Sequence, residues 1–258
     1  MSGSGNIKVM GIVNLSHDSF FAGSIASGTE DALRRIREWF NAGAWMVDIG
    51  PVSTRPGAAD VDAELQWKLL EPVLKRLPEG RYSLDITSAE LARRAYGLIG
   101  HFTVNDISAG EDDAEMLPLV GELGLGYVAM HKRGNPRSMD SLCDYPQGVV
   151  KAVDDYFRDF SAKAEAFGIR DWILDPGFGF AKTVDQNWEL LRGLGEFRHF
   201  GRPILAGVAD KRFTKGDTPA AEALAVANGA DILRCHEFPH LCEKYISLQR
   251  YADSIGRP

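Results

Sequence analysis

Apolar and polar positions follow one another along this chain in a short, repeating rhythm. Eight brief apolar runs occupy 8–13, 45–49, 82–86, 101–104, 126–130, 172–174, 203–207 and 231–235. They largely lack the regular polar alternation of a half-exposed strand, so they predict strands buried on both faces, as in a parallel sheet. Between them lie stretches with helical spacing at 30–42, 63–76, 89–98, 114–123, 147–167, 186–195 and 219–228, with a last one at about 239–252. Several end on glycine turns ("NAGA", "ELGLG", "AFGI", "ANGA"), where glycine takes the left-handed conformation that closes a helix. Eight strand–helix pairs in one chain of this length predict an α/β fold, a closed (β/α)8 TIM barrel. The alternative, a doubly wound open sheet, loses ground because no Gly-x-Gly-x-x-Gly follows the first run.

Composition narrows the picture without changing it. The chain has 258 residues, 45% hydrophobic and 25% charged, which suits one folded domain of barrel size. Residues 1–6 read as a flexible leader and 7–258 as the domain. The net charge of −7, with no basic block, argues against nucleic acid as a partner. No apolar run reaches membrane length, so no membrane partner is expected. The three cysteines, Cys143, Cys235 and Cys242, have no zinc-like spacing and fit a reducing, cytoplasmic setting.

A barrel of this kind carries its chemistry at the C-terminal ends of its strands. Polar residues gather there. Asn14 ends the first run, and Asp48 sits near the end of the second, which leads into Ser53-Thr54-Arg55-Pro56-Gly57. Asp85, Asn105-Asp106 and Met130-His131-Lys132-Arg133-Gly134 end the next three. Asp175 with Gly177 and Gly179, Gly207 leading to Lys211, and Arg234-Cys235-His236 complete the ring. Two chemistries separate within it. Asp85, Asn105 and Asp175 suit the donor-rich edge of a flat heterocycle, since one carboxylate accepts two parallel N–H bonds. Gly177 and Gly179 leave backbone bare enough for a ring to lie against it. Arg234 and His236 share one side of their strand and, with Lys211, suit a phosphate or diphosphate. Asn14 is the candidate ligand for Mg²⁺, which takes one or two protein oxygens beside phosphate oxygens and water.

Together the stretches "MGIVNLSHDSF", "DIG" with "STRPGA", "NDIS", "MLPLVGELG" with "MHKRGNP", "LDPGFGFAKT" and "RCHEF" resemble the dihydropteroate synthase family, in order and over nearly the whole chain. The resemblance implies a (β/α)8 transferase of folate biosynthesis. It would join 6-hydroxymethyl-7,8-dihydropterin diphosphate to p-aminobenzoate, with Mg²⁺ as cofactor, and would work as a homodimer. It implies that Asp85, Asn105 and Asp175 hold the pterin edge, with Met130, Gly179, Phe180 and Lys211 around the ring. Asn14, Arg234 and His236 would meet the diphosphate and its metal, helped by Arg55. Lys211, Arg55, Arg234 and His236 would thus serve catalysis. Phe20, beside Asp18 and Ser19, would lie in a first mobile loop, and Thr54, Arg55 and Pro56 in a second.

Two departures from the family pattern stand out. Pro51-Val52 replaces the usual Gly-Glu, and the usual Ser-Arg-Lys-Ser reads Ala209-Asp210-Lys211-Arg212. The lysine is kept, Ala209 stands where a serine is usual, and Arg212 becomes a candidate partner for the p-aminobenzoate carboxylate. Sulfonamides, which compete for that subsite, are expected to bind less well. Two other readings stay open: a pterin-binding paralogue with impaired catalysis or a regulatory role, and a pterin-dependent methyl-transfer domain.

Overall fold

The computed structural model describes residues 6–15, 25–51, 62–134 and 138–236, with isolated positions at 247, 248, 250 and 254. Eight strands alternate with helices: β1 (Lys8–Asn14), α1 (Ile25–Asn41), β2 (Met46–Gly50), α2 (Ala63–Leu74), β3 (Tyr82–Asp85), α3 (Ala89–Ile99), β4 (Thr103–Asp106) and α4 (Met116–Leu123). The series continues with β5 (Gly126–Met130), α5 (Val149–Ala166), β6 (Trp172–Asp175), α6 (Val184–Arg192), β7 (Leu205–Ala206), α7 (Thr218–Ala227) and β8 (Ile232–Cys235). All pairings are parallel, in the order β6-β5-β4-β3-β2-β1-β8-β7. A parallel bridge from Leu174 to Ile204 joins the two ends of this sheet and rounds it into the expected barrel.

Helix faces explain the outer layer. In α5 the buried residues Val149, Val153, Phe157, Phe160 and Ala164 recur at three and four positions, a single stripe turned to the sheet. Phe157 stacks on Trp172 of β6 with centroids 6.4 Å apart. Inside the barrel, Met10, Met46, Val128, Ile173, Leu205 and Ile232 form a separate apolar cluster that plugs the floor.

The apolar pattern misplaced some boundaries. Strand four was expected at 101–104 but runs from Thr103 to Asp106, pairing Asp106 with Ala129. Strand six continues through Asp175, which pairs with Met130. In both, the added residues are polar: Asn105 and Asp175 line the barrel mouth, and Asp106 is buried with Ser108 and Tyr127 donating to it. Strand seven shrinks to Leu205–Ala206. Helix α6 begins at Val184, earlier than expected, because Thr183 and Gln186 cap it reciprocally. The expected helix at 239–252 lies almost wholly outside the described residues.

Candidate active site

Side chains alternate in and out along a strand, so the inward face recurs every second residue. Two residues beyond the floor cluster stand Asp48, Met130, Asp175, Gly207 and Arg234. Four beyond Met10 and Ile232 stand Asn14 and His236. Ser83 reaches Asp48 with its hydroxyl, so β3 points Asp85 inward by the same count. An apolar plug therefore carries a polar ring directly above it. That ring opens into a cavity of about 760 Å³ lined by Asn14, Asp85, Asn105, Met130, Asp175, Arg234 and His236. Gly179, Phe180, Lys211 and Arg212 line it from the loops after β6 and β7. Every sequence-predicted site residue within the described chain thus meets in one place. Phe20, Thr54, Arg55 and Pro56 lie outside the described residues, as do Asp18 and Ser19.

The acidic wall is organised by Asp48, which is fully buried. Its carboxylate accepts from Ser83 Oγ at 2.5 Å, Asn105 Nδ2 at 2.9 Å, and Arg234 Nε and Nη2 at 2.9 and 2.7 Å. Arg234 Nη2 also donates to Asp85 Oδ2 at 3.1 Å. The guanidinium that the sequence assigned to the anion side bonds to the acidic wall, bridging two carboxylates. Asp85 Oδ1 is buried and has no hydrogen-bond partner among the described residues. A bare buried acceptor is costly and points to an incoming donor. Burial, reinforced by the neighbouring Asp48 and Asp106 and opposed by Arg234 and Lys211, pushes the Asp85 carboxyl up to about 7. Burial also raises Asp175, against the Gly177 N–H and the Lys211 and Arg234 charges.

The turn after β6 is built from unusual backbone. Gly177, Gly179 and Ala181 have φ of +69°, +80° and +49°. Gly177 N donates to Asp175 Oδ1 at 2.8 Å, and Gly179 N donates to Asn187 Oδ1 at 2.7 Å. A Cβ on Gly177 would lie 2.0 Å from the His131 carbonyl oxygen. Gly177→Ala therefore meets both a left-handed backbone and a hard collision. It is expected to cost about 2–4 kcal/mol of stability, measured by urea unfolding. Above this turn Lys211 Nζ lies 5.0 Å from the centroid of the Phe180 ring, a cation over an aromatic face.

A family model described as "Pterin binding enzyme" matches residues 10–236. The chain is 34% identical to the dihydropteroate synthase of Escherichia coli K12, over 91% of this chain and 88% of that one. The chain belongs to the dihydropteroate synthase family. It is also 38% identical to the folic acid synthesis protein fol1 of Pneumocystis carinii, covering 96% of this chain but spanning 36% of that longer protein. Among solved structures, the Xanthomonas albilineans dihydropteroate synthase with 4-aminobenzoic acid matches with a TM-score of 0.85. That match has 31% identity and covers 95% of this chain and 93% of that one.

For a dihydropteroate synthase family member, the residue that sequence reasoning left without a role is Asp48. It was visible as a strand-end acid, and the two-residue count from Met46 places it inward. Its task follows only from the partners that β3, β4 and β8 bring to it. Ala209 sits at the cavity rim, and the backbone N–H of Asp210, in a left-handed conformation at φ +55°, donates to Thr218 Oγ1 at 3.1 Å.

Proposed function

We propose that this transferase condenses 6-hydroxymethyl-7,8-dihydropterin diphosphate with p-aminobenzoate and releases diphosphate. The observation that carries the reading is the acidic wall, with Asp85 Oδ1 buried and waiting for a donor beside Asp175 and Asn105. A pterin presents such donors along its edge, and its flat ring fits between Met130 and the bare backbone at Gly179. Asn14, Lys211 and His236 line the same cavity and suit the diphosphate. Arg212, next to Lys211, lines the same cavity and suits the arylamine carboxylate.

In the reaction the bond from the exocyclic methylene carbon to the diphosphate oxygen breaks, and its electron pair leaves with the diphosphate. The arylamine nitrogen supplies the pair for the new C–N bond and then loses a proton. No protein nucleophile is needed. The residues orient both partners and stabilise charge on the leaving group. Among the described residues no group of three His, Cys, Asp or Glu side chains could hold a metal. Asn14 fits Mg²⁺ in a different way, as one oxygen ligand to an ion carried mainly by the diphosphate. Bound there, Mg²⁺ would offset the negative charge growing on the leaving group. A homodimer and a cytoplasmic location belong to the same reading.

Diphosphate release tests it: release from the pterin diphosphate should depend on added p-aminobenzoate. Tight pterin binding without turnover would instead favour a non-catalytic paralogue, a reading supported by the exchange of Ser-Arg-Lys-Ser for Ala209-Asp210-Lys211-Arg212.

The raised Asp85 carboxyl gives a signed pH effect. With its proton group at about 7, the empty site holds a proton there over much of the range from about 4 to 7. A pterin N–H on Oδ1 favours the ionised form and expels that proton. Pterin affinity is therefore expected to rise as pH goes from 6 to 8. Calorimetry in buffers of different ionisation enthalpy should record net proton release near pH 6.5.

A further inference from the structure

We propose that Lys182, with His131 as its acceptor, is a positioning residue that holds the turn after β6 in the shape that reads the pterin. The inference rests on the functional reading above and adds a residue that reading does not use. Lys182 is 8% exposed, and its Nζ points into the turn. It lies 2.9 Å from Gly177 O, 2.9 Å from Phe180 O and 3.0 Å from His131 Nδ1. An ammonium has three hydrogens, and three acceptors surround this one. The two carbonyls flank Phe178 and Gly179, in the middle of a backbone with three left-handed residues. Such a backbone persists only when its surroundings fix it several times over. Tyr145 OH donates to Ala181 O at 2.9 Å and Asn187 Nδ2 donates to Thr183 O at 2.7 Å, fixing the far end. At the near end, where Asp175 begins the turn and Phe180 faces the cavity, Gly177 N–H holds Asp175 and Phe180 N–H holds Gly177 O, and Lys182 is the side chain that grips the Gly177 and Phe180 carbonyls together.

His131 completes the arrangement. Accepting through Nδ1 requires its proton on Nε2, and the Tyr156 ring packs against the imidazole with centroids 5.0 Å apart at an interplanar angle of 88°. Burial first, then the Lys182 and Arg133 charges, hold the imidazole neutral, well below its usual range. Asp175, Cys143, Arg133 and Lys211 are the other charged or titratable groups near Lys182, and burial brings its amine down to about 7. The turn stays tied through that titration. A neutral amine still donates to both carbonyls and accepts from the other imidazole tautomer. Only protonation of both partners pulls the pair apart.

The test compares Lys182→Met, His131→Leu and His131→Asn with the unaltered chain. The probe is 6-hydroxymethylpterin, titrated by calorimetry. Lys182→Met and His131→Leu are expected to weaken binding about tenfold or more, while the KM for p-aminobenzoate moves less than threefold. His131→Asn restores an acceptor and should recover most of the loss seen in His131→Leu. Nitrogen-15 shifts should show the His131 ring neutral and protonated on Nε2 at pH 6. Unaltered pterin affinity in both Lys182→Met and His131→Leu overturns the inference. Should Lys182→Met fail to fold, the two His131 variants decide: equal affinities for them overturn it as well. If the unaltered chain binds no pterin, the functional reading falls, and this inference falls with it.

Discussion

Asp175→Asn is expected to weaken 6-hydroxymethylpterin binding by about a hundredfold, roughly 3 kcal/mol. Asp175 Oδ1 is already committed to Gly177 N, so the second oxygen is the one available to a ligand. Asparagine can keep the turn bond with its carbonyl, which leaves the fold intact. Its amide then presents N–H where the ligand also presents N–H. An acceptor becomes a donor facing a donor, in a buried site where water cannot relieve the mismatch. The expected signature is lost affinity with little lost stability. Unfolding in urea should shift by less than about 1 kcal/mol. Pterin affinity equal to that of the unaltered chain would remove Asp175 from the pterin contact.

Arg234→Met should do the opposite, costing stability and activity together. Arg234 is the cation that bridges Asp48 and Asp85, and its side chain is 20% exposed while theirs are 0% and 4% exposed. Removing it leaves two buried carboxylates facing each other without a counter-charge. Breaking a buried pair in this way costs about 3–5 kcal/mol. In a chain of this size that lowers the thermal midpoint by roughly 10 °C. The loss should shrink with acid. Without the arginine the Asp85 carboxyl rises further above its ordinary value, so the folded state takes up a proton that the unfolded state does not. Stability then increases as pH falls from neutrality toward 4. Asp48→Asn added to Arg234→Met should recover part of the loss, because only one carboxylate of the bridged pair remains. Thermal melts of the single and double variants at pH 5 and pH 7.5 measure both effects. Identical losses at the two pH values would show that the arginine acts by packing rather than charge.

The fold was legible because a parallel barrel repeats one apolar signal eight times. The site was legible because every strand points its end at the same basin. Asn14, Asp85, Asn105, Met130, Asp175, Arg234 and His236 are all strand-end residues, and all meet there. What escaped was pairing between strands far apart in sequence. Nothing in the order of residues says that Arg234, 186 positions from Asp48, donates to it. Nor does it say that Asp85 keeps one oxygen bare. Lys182 was legible only as part of a motif. Its role depends on the turn folding back on itself and on β5 delivering His131 beside it. Apolar periodicity also fails where a strand enters the polar mouth, which is why β4 and β6 extend past their apolar runs.

The most direct measurement is a crystal structure with 6-hydroxymethylpterin and p-aminobenzoate bound together. The heterocycle should lie between Met130 and Gly179, with its amino edge on Asp175 and an N–H on Asp85 Oδ1. The arylamine nitrogen should face the exocyclic carbon from the Lys211 and Phe180 side. A pterin seated elsewhere, or seated here with Asp85 Oδ1 still unpaired, contradicts the account.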